Sequence, residues 1–146
     1  MRILSELTRD ASTSVPQLSN KLNVNASVLY SRIKRLSKRG LIKKFTVIVN
    51  ESILGINVKA TVGINRDPKL KEPIHSELLR ITEVRSLSEV TGRFDILVTM
   101  NARSLDEMHQ LISEKIGRIE GVQKTETFIE MRKTVRELAY PASIEK

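Results

Sequence analysis

The sequence predicts an α+β chain of two units: an N-terminal helix-turn-helix, then a linking strand, then a βαββαβ unit. Three observations predict it. The first is a capped helix over residues 25–42, with an apolar stripe on one side and only hydroxyls and cations on the other. The second is charge. Residues 1–46 carry ten basic and two acidic residues, and residues 47–146 carry fifteen of each, so the whole net charge of +8 lies in the first third. The third is a change in apolar period beyond residue 57, between two and 3.6, in the order strand, helix, strand, strand, helix, strand.

Ile3, Leu4 and Leu7 predict a first helix that starts almost at Met1. Ser14 and Gln17 have the spacing of a capping box, and Pro16 stands in the tolerated first turn. Leu18 and Leu22 continue the apolar face of that second helix, and residues 23–25 make a three-residue turn. Asn25 caps the third helix, because its side-chain oxygen can take a free amide of the first turn. Gly40 stands where a helix ends in a left-handed residue. Between them Leu29, Ile33 and Leu36 form the apolar stripe.

Ser27, Tyr30, Ser31, Lys34, Arg35 and Lys38 project from the other side, and no carboxylate is among them. A helix kept only for solubility mixes signs, because opposite charges four apart stabilise it. Helix, short turn, helix places its second member in the DNA major groove. Asn25, Ser27, Tyr30, Ser31, Lys34, Arg35 and Lys38 are therefore the expected DNA-facing residues, with the two lysines on phosphates. A localised cationic surface of this kind points to a polyanion.

Residues 41–49 read as a strand. After it Val58, Ala60, Val62 and Ile64 alternate with polar or small residues. Leu70, Ile74, Leu78 and Ile81 predict an amphipathic helix, with Pro73 near its start. A second strand covers about residues 84–91. Gly92-Arg93 reads as a two-residue hairpin turn of type II′, and Phe94, Ile96, Val98 and Met100 alternate along a third strand. Ser104 and Glu107 form a capping box for a helix to about Ile119, and residues 122–131 form the last strand. The order βαββαβ is the split-βαβ, ferredoxin-like arrangement, whose helices cover one sheet face and leave the other bare. Leu97, Thr99, Thr61 and Thr125 are expected on that bare face, a composition suited to contact between subunits.

Several classes are excluded. Cysteine is absent, so disulfides, thiolate chemistry and cysteine–zinc sites are excluded and a cytoplasmic location is expected. No apolar run of 18 residues exists, and no basic-then-apolar leader precedes the first helix, so no membrane partner is expected. His75 and His109 stand alone on helices, and no P-loop, Gly-rich dinucleotide loop or Ser-His-Asp set is present. The reading is of a non-enzyme without metal or cofactor. Three Phe and two Tyr are too few and too scattered for a single-strand stacking platform.

In order and spacing the pieces resemble the Lrp/AsnC, or leucine-responsive feast/famine, regulators of archaeal type. The residues that carry this are Arg32-Ile33-Lys34-Arg35-Leu36, Gly40-Leu41-Ile42, the linking strand, the βαββαβ unit and Val90-Thr91-Gly92-Arg93-Phe94-Asp95, which is similar to the family's Gly-x-x-Asp turn. The resemblance implies a DNA-binding unit at 1–44, a linking strand and hinge at 45–57, and an effector-binding and oligomerisation unit of RAM/ACT-like type at 58–146. It also implies a small amino acid as effector, held by Thr91, Gly92, Arg93, Phe94 and Asp95, by Leu105, and by Thr127, Phe128 and Ile129 from a neighbouring subunit. An amino-acid zwitterion needs amides for its carboxylate and an acceptor for its ammonium. The 91–93 turn can supply the amides, and Asp95 can supply the acceptor; equally, Asp95 can be a carboxylate that only stabilises the hairpin.

The expected function is a sequence-specific DNA-binding transcription regulator whose assembly or DNA binding responds to an amino acid. Its expected partners are double-stranded DNA with a pseudo-palindromic operator, the amino acid, and copies of itself, as a homodimer assembling to a tetramer or octamer. The alternatives are an architectural DNA-coating protein without effector, and an amino-acid-binding regulatory subunit of an enzyme.

Overall fold

The computed structural model describes residues 2–145, so the expected helix start at Met1 lies outside the described residues. The chain divides into two compact units. The first comprises residues 1–48 and 134–146, and the second Val49–Lys133.

In the first unit three helices, α1 (Ile3–Arg9), α2 (Val15–Leu22) and α3 (Ala26–Lys38), enclose Ile3, Leu4, Leu18, Leu29 and Leu36. Local chemistry ends each helix where the sequence signals it. Ser14 and Gln17 cap each other's backbone amides. Asn23 ends α2 in the left-handed conformation, at φ 52°. Asn25 Oδ1 accepts from the Ser27 amide at 2.9 Å. Gly40, at φ 77°, ends α3, and the Leu41 amide reaches back to the Leu36 carbonyl at 3.0 Å. Lys21 of α2 pairs with Glu6 of α1. That hydrogen bond holds the Glu6 carboxyl below its usual range. A depressed carboxylate contributes stability above the ordinary carboxylate range and loses it as pH falls.

The second unit is β1 (Val58–Arg66), α4 (Lys71–Arg80), β2 (Val84–Glu89), β3 (Ile96–Ala102), α5 (Leu105–Gln110) and β4 (Val122–Ile129), in the expected βαββαβ order. The sheet runs β2-β3-β1-β4 and every pairing is antiparallel. Ala60, Val62, Ile64, Ile96, Val98, Met100 and Ala102 face Ile74, Leu78, Ile81, Met108, Leu111 and Ile116 in one core. The helix expected to reach Ile119 changes to a π turn over Leu111–Ile116, closed by the Gly117 amide on the Ile112 carbonyl at 2.8 Å.

Three expectations need correction. Residues 41–49 form no strand within one chain, because a ladder needs a second strand and none lies alongside. The hairpin is wider than a two-residue turn: the Val90 amide bonds the Asp95 carbonyl at 3.0 Å, which leaves Thr91, Gly92, Arg93 and Phe94 as the loop. Gly92 still takes the positive φ expected of it, 123°. Thr125 pairs with Ile64 and shares its helix-covered face, while Thr61, Leu97 and Thr99 lie on the other. Residues 134–146 group with the first unit, because α1 offers the tail a free amide and a hydroxyl to bond.

Candidate functional site

The first candidate surface is α3. Leu29 and Leu36 are buried and Ile33 is half-buried, so the stripe on one side anchors the helix. Asn25, Ser27, Tyr30, Ser31, Lys34, Arg35 and Lys38 are all exposed. The six on the helix occupy an arc opposite the stripe, since 27, 30, 31, 34 and 38 repeat at three and four. Tyr30 is 61 % exposed, which is unusual for an aromatic ring not kept for contact. The helix carries no acidic residue in its first turn and Arg35 and Lys38 in its last. That surface can neutralise phosphates and offer hydroxyl and guanidinium donors to base edges.

The second candidate lies in the sheet unit, and strand geometry divides the expected residues. Side chains of neighbouring residues on a strand point to opposite faces. Thr127 and Ile129 therefore share the helix side, opposite Val62 and Ala60, whereas Phe128 lies opposite Thr61 on the bare face. On the helix side, Leu105, Thr127 and Ile129 meet Met108, His109 and Ile112 around a cavity of about 170 Å³. Its lining is mainly apolar, with the Thr127 hydroxyl and the His109 ring as its polar groups.

On the bare face, Phe94 lies directly over Gly63: a Cβ there would stand 2.6 Å from the Phe94 ring. The Phe94 and Phe128 rings are edge to face, with centroids 6.1 Å apart. The Arg93 guanidinium lies 5.3 Å from the Phe94 ring and pairs with Glu126. Asn65 Nδ2 donates to the Arg93 carbonyl at 2.9 Å, which fixes the loop. Thr91 and Gly92 are exposed at its tip.

Asp95 has a structural partner. The ladder between β1 and β4 slips between Asn65 and Arg66, and the Arg66 amide donates to Asp95 Oδ2 at 3.0 Å. The carboxylate thus takes up a donor close to the slip.

Within one chain the hairpin and the cavity stand apart. Ile64 is level with Ile96, at the hairpin end of β3, and Ala60 is level with Ile129. Four strand residues separate the two levels, about 13 Å. One protomer therefore does not bring the expected effector residues into one pocket.

Sequence reasoning missed Met108, His109 and Ile112. The signal was present: from Leu105 these residues stand at i+3, i+4 and i+7, one stripe of α5 and the turn after it. Among the described residues no group of three or more His, Asp or Glu could hold a metal ion. Among the same residues no helix is long and apolar enough to cross a membrane.

Comparison with known proteins matches both units. Residues 1–43 match the winged helix-turn-helix DNA-binding model, and residues 59–140 match the Lrp/AsnC ligand binding domain. An uncharacterised HTH-type transcriptional regulator of Pyrococcus abyssi is 34% identical over 127 residues, 87% of this chain and 80% of that protein. The structure of E. coli AsnC superposes with a TM-score of 0.86 at 25% identity, covering 95% of this chain and 94% of that one. A transcriptional regulator of Neisseria meningitidis in complex with L-methionine shares the fold, with a TM-score of 0.89 at 16% identity over 96% of this chain and 92% of that one.

Proposed function

The chain belongs to the Lrp/AsnC family, DNA-binding transcription regulators and not enzymes, and from that membership we propose how its parts divide the work. The α3 face of Asn25, Ser27, Tyr30, Ser31, Lys34, Arg35 and Lys38 reads the major groove of a pseudo-palindromic operator. Two copies of the chain present two such helices, because one short helix spans only a few base pairs. The protein works in the cytoplasm, where a cysteine-free chain meets DNA and free amino acids.

The effector is an amino acid with an apolar side chain. The observation that carries this is the cavity at Leu105, Met108, His109, Ile112, Thr127 and Ile129, which has room for such a side chain and no Asp, Glu, Lys or Arg to meet a charged one. The L-methionine bound by the Neisseria protein is of that class. The cavity's polar groups are the Thr127 hydroxyl and the His109 ring, and it holds no carboxylate for the ammonium. The ammonium and carboxylate go to Asp95 and the amides of the 91–93 loop of a neighbouring subunit, since one chain keeps the two parts about 13 Å apart. An effector held between subunits favours one assembly over another and so shifts DNA binding.

The subunit contacts are the bare sheet face and the unpaired segment after α3. In that segment Val47 is 80% and Ile48 100% exposed. Pairing with the same segment of a second copy satisfies its backbone and buries its side chains. Val47→Asp with Ile48→Asp is expected to shift sedimentation at micromolar concentration from dimer or larger toward monomer, with specific duplex binding lost in parallel. A double variant that stays assembled would move the contact elsewhere.

Asp95 tests the effector directly. Asp95→Asn keeps an oxygen for the Arg66 amide, so the fold stays and the ammonium acceptor loses its charge. Calorimetry against the twenty amino acids is expected to show binding of L-leucine or L-methionine by the parent and its loss in Asp95→Asn. Asp95→Ala also strips the Arg66 amide of its partner and costs a further ~1–3 kcal/mol of stability. Equal affinity in parent and Asp95→Asn would leave Asp95 as a hairpin carboxylate only, the reading that its bond to the Arg66 amide supports. No amino-acid response at all would make the protein an architectural DNA-coating protein.

A further inference from the structure

We propose that residues 134–145 form a strap that holds α1 in the DNA-binding unit and carries the state of the effector site to it. The second half of this rests on the effector reading above; the first half stands on the structure alone.

The helix α1 is short, seven residues, and no side chain at Arg2 caps it. Helices of this length are marginal without outside contacts. Beside the core contacts of Ile3 and Leu4, the strap adds others at successive turns. Glu145 Oε1 accepts from the Leu4 amide at 2.8 Å, so a carboxylate from the far end of the chain caps the helix. The Ser5 hydroxyl accepts from the Tyr140 amide at 2.9 Å and donates to the Tyr140 carbonyl at 3.2 Å. Arg9 Nε faces Glu137 Oε2 at 3.6 Å.

Glu145 is not an incidental surface contact. It is only 7% exposed, and its Oε2 is buried without a hydrogen-bond partner. Burying a carboxylate with one oxygen unsatisfied is costly, and an exposed tail would leave it in water. The charge-assisted bond to the helix N-terminus is what offsets that cost here.

The strap also has a direct covalent route to the proposed effector cavity. Thr127 and Ile129 line that cavity and end β4. The Glu130 amide is still held in register by the Lys59 carbonyl at 2.8 Å. Residues 131–136, all exposed, then lead to Glu137, the first strap residue that meets α1. A ligand that prefers one position of that strand biases the hold on α1 through this continuous stretch of chain.

The test uses the full chain and four proteins: parent, Glu145→Ala, Glu145→Gln and Ser5→Ala. Amide hydrogen exchange is read for residues 4–9, and affinity for a duplex recovered by selection is read with and without L-methionine. Glu145→Ala and Ser5→Ala are each expected to lower protection in α1 by about fivefold, the loss expected of a missing helix cap. Glu145→Gln keeps the acceptor and is expected to retain that protection. In Glu145→Ala, calorimetric affinity for L-methionine is expected to stay at the parent value. The ratio of duplex affinities with and without L-methionine should fall toward one. Unchanged α1 protection in both alanine variants overturns the hold. Lost protection with the parent's full L-methionine response overturns the signalling role. A parent with no amino-acid response in any of the twenty cases overturns the effector reading, and the exchange comparison still decides the hold.

Discussion

Raising monovalent salt from 50 to 200 mM is expected to weaken duplex binding by about 10³- to 10⁴-fold, from a slope of log K on log[salt] near −5 to −7. The slope follows if each protomer of a dimer sets three or four cations on phosphates, about six to eight in all. Lys34 and Lys38 are exposed on the α3 face and are the first candidates. Lys34→Ala and Lys38→Ala should each weaken all duplexes alike and flatten the slope by about two for a dimer, since each change removes a contact twice. Arg35→Ala should differ in kind, costing roughly 1–3 kcal/mol at one base position of each half-site. Fluorescence anisotropy over a salt series, on the selected duplex and on a scrambled one, separates the two. Binding that ignores salt would remove the cationic face of α3 from the interface.

Leu29→Ala is expected to cost roughly 2–5 kcal/mol and to abolish duplex binding at physiological temperature. Leu29 is 0% exposed, and the cluster around it holds only Ile3, Leu4, Leu18 and Leu36 as further buried members. A core that small has little to redistribute when three carbons are removed, and whole domains hold only ~5–15 kcal/mol. The sheet unit has its own, larger core and should keep its hydrogen-exchange protection. The expected melt therefore splits, with the helical unit unfolding first. Leu79→Ala is the control: Leu79 is 57% exposed on α4, and its loss should change little. One unshifted transition with intact DNA binding in Leu29→Ala would mean that α3 is not held by that cluster.

The parts of this protein that its sequence determined by itself are those in which cause and effect are close along the chain. Asn25 and Gly40 marked the ends of α3 because caps act on amides and carbonyls within a turn or so. The face of Ser27, Tyr30, Ser31, Lys34, Arg35 and Lys38 followed from helical spacing alone, and every member is exposed. The alternation of Phe94, Ile96, Val98 and Met100 was equally local; the last three are buried, while Phe94 falls in the loop and lies over Gly63 on the bare face. From such elements and their order the βαββαβ topology could be read.

Only the tertiary structure decided matters of pairing between distant residues. Residues 41–49 have strand composition, yet a strand is completed by a neighbour, and a single chain provides none there. The register of β1 with β4 set Thr125 beneath the helices and parted Phe128 from Thr127 and Ile129; one step of register reverses every such assignment. Asp95 met the Arg66 amide because of an irregularity in a ladder on other strands. Glu145 capped a helix 141 positions away in the chain. No local pattern encodes that contact, because it depends on where folding brings the two ends of the chain.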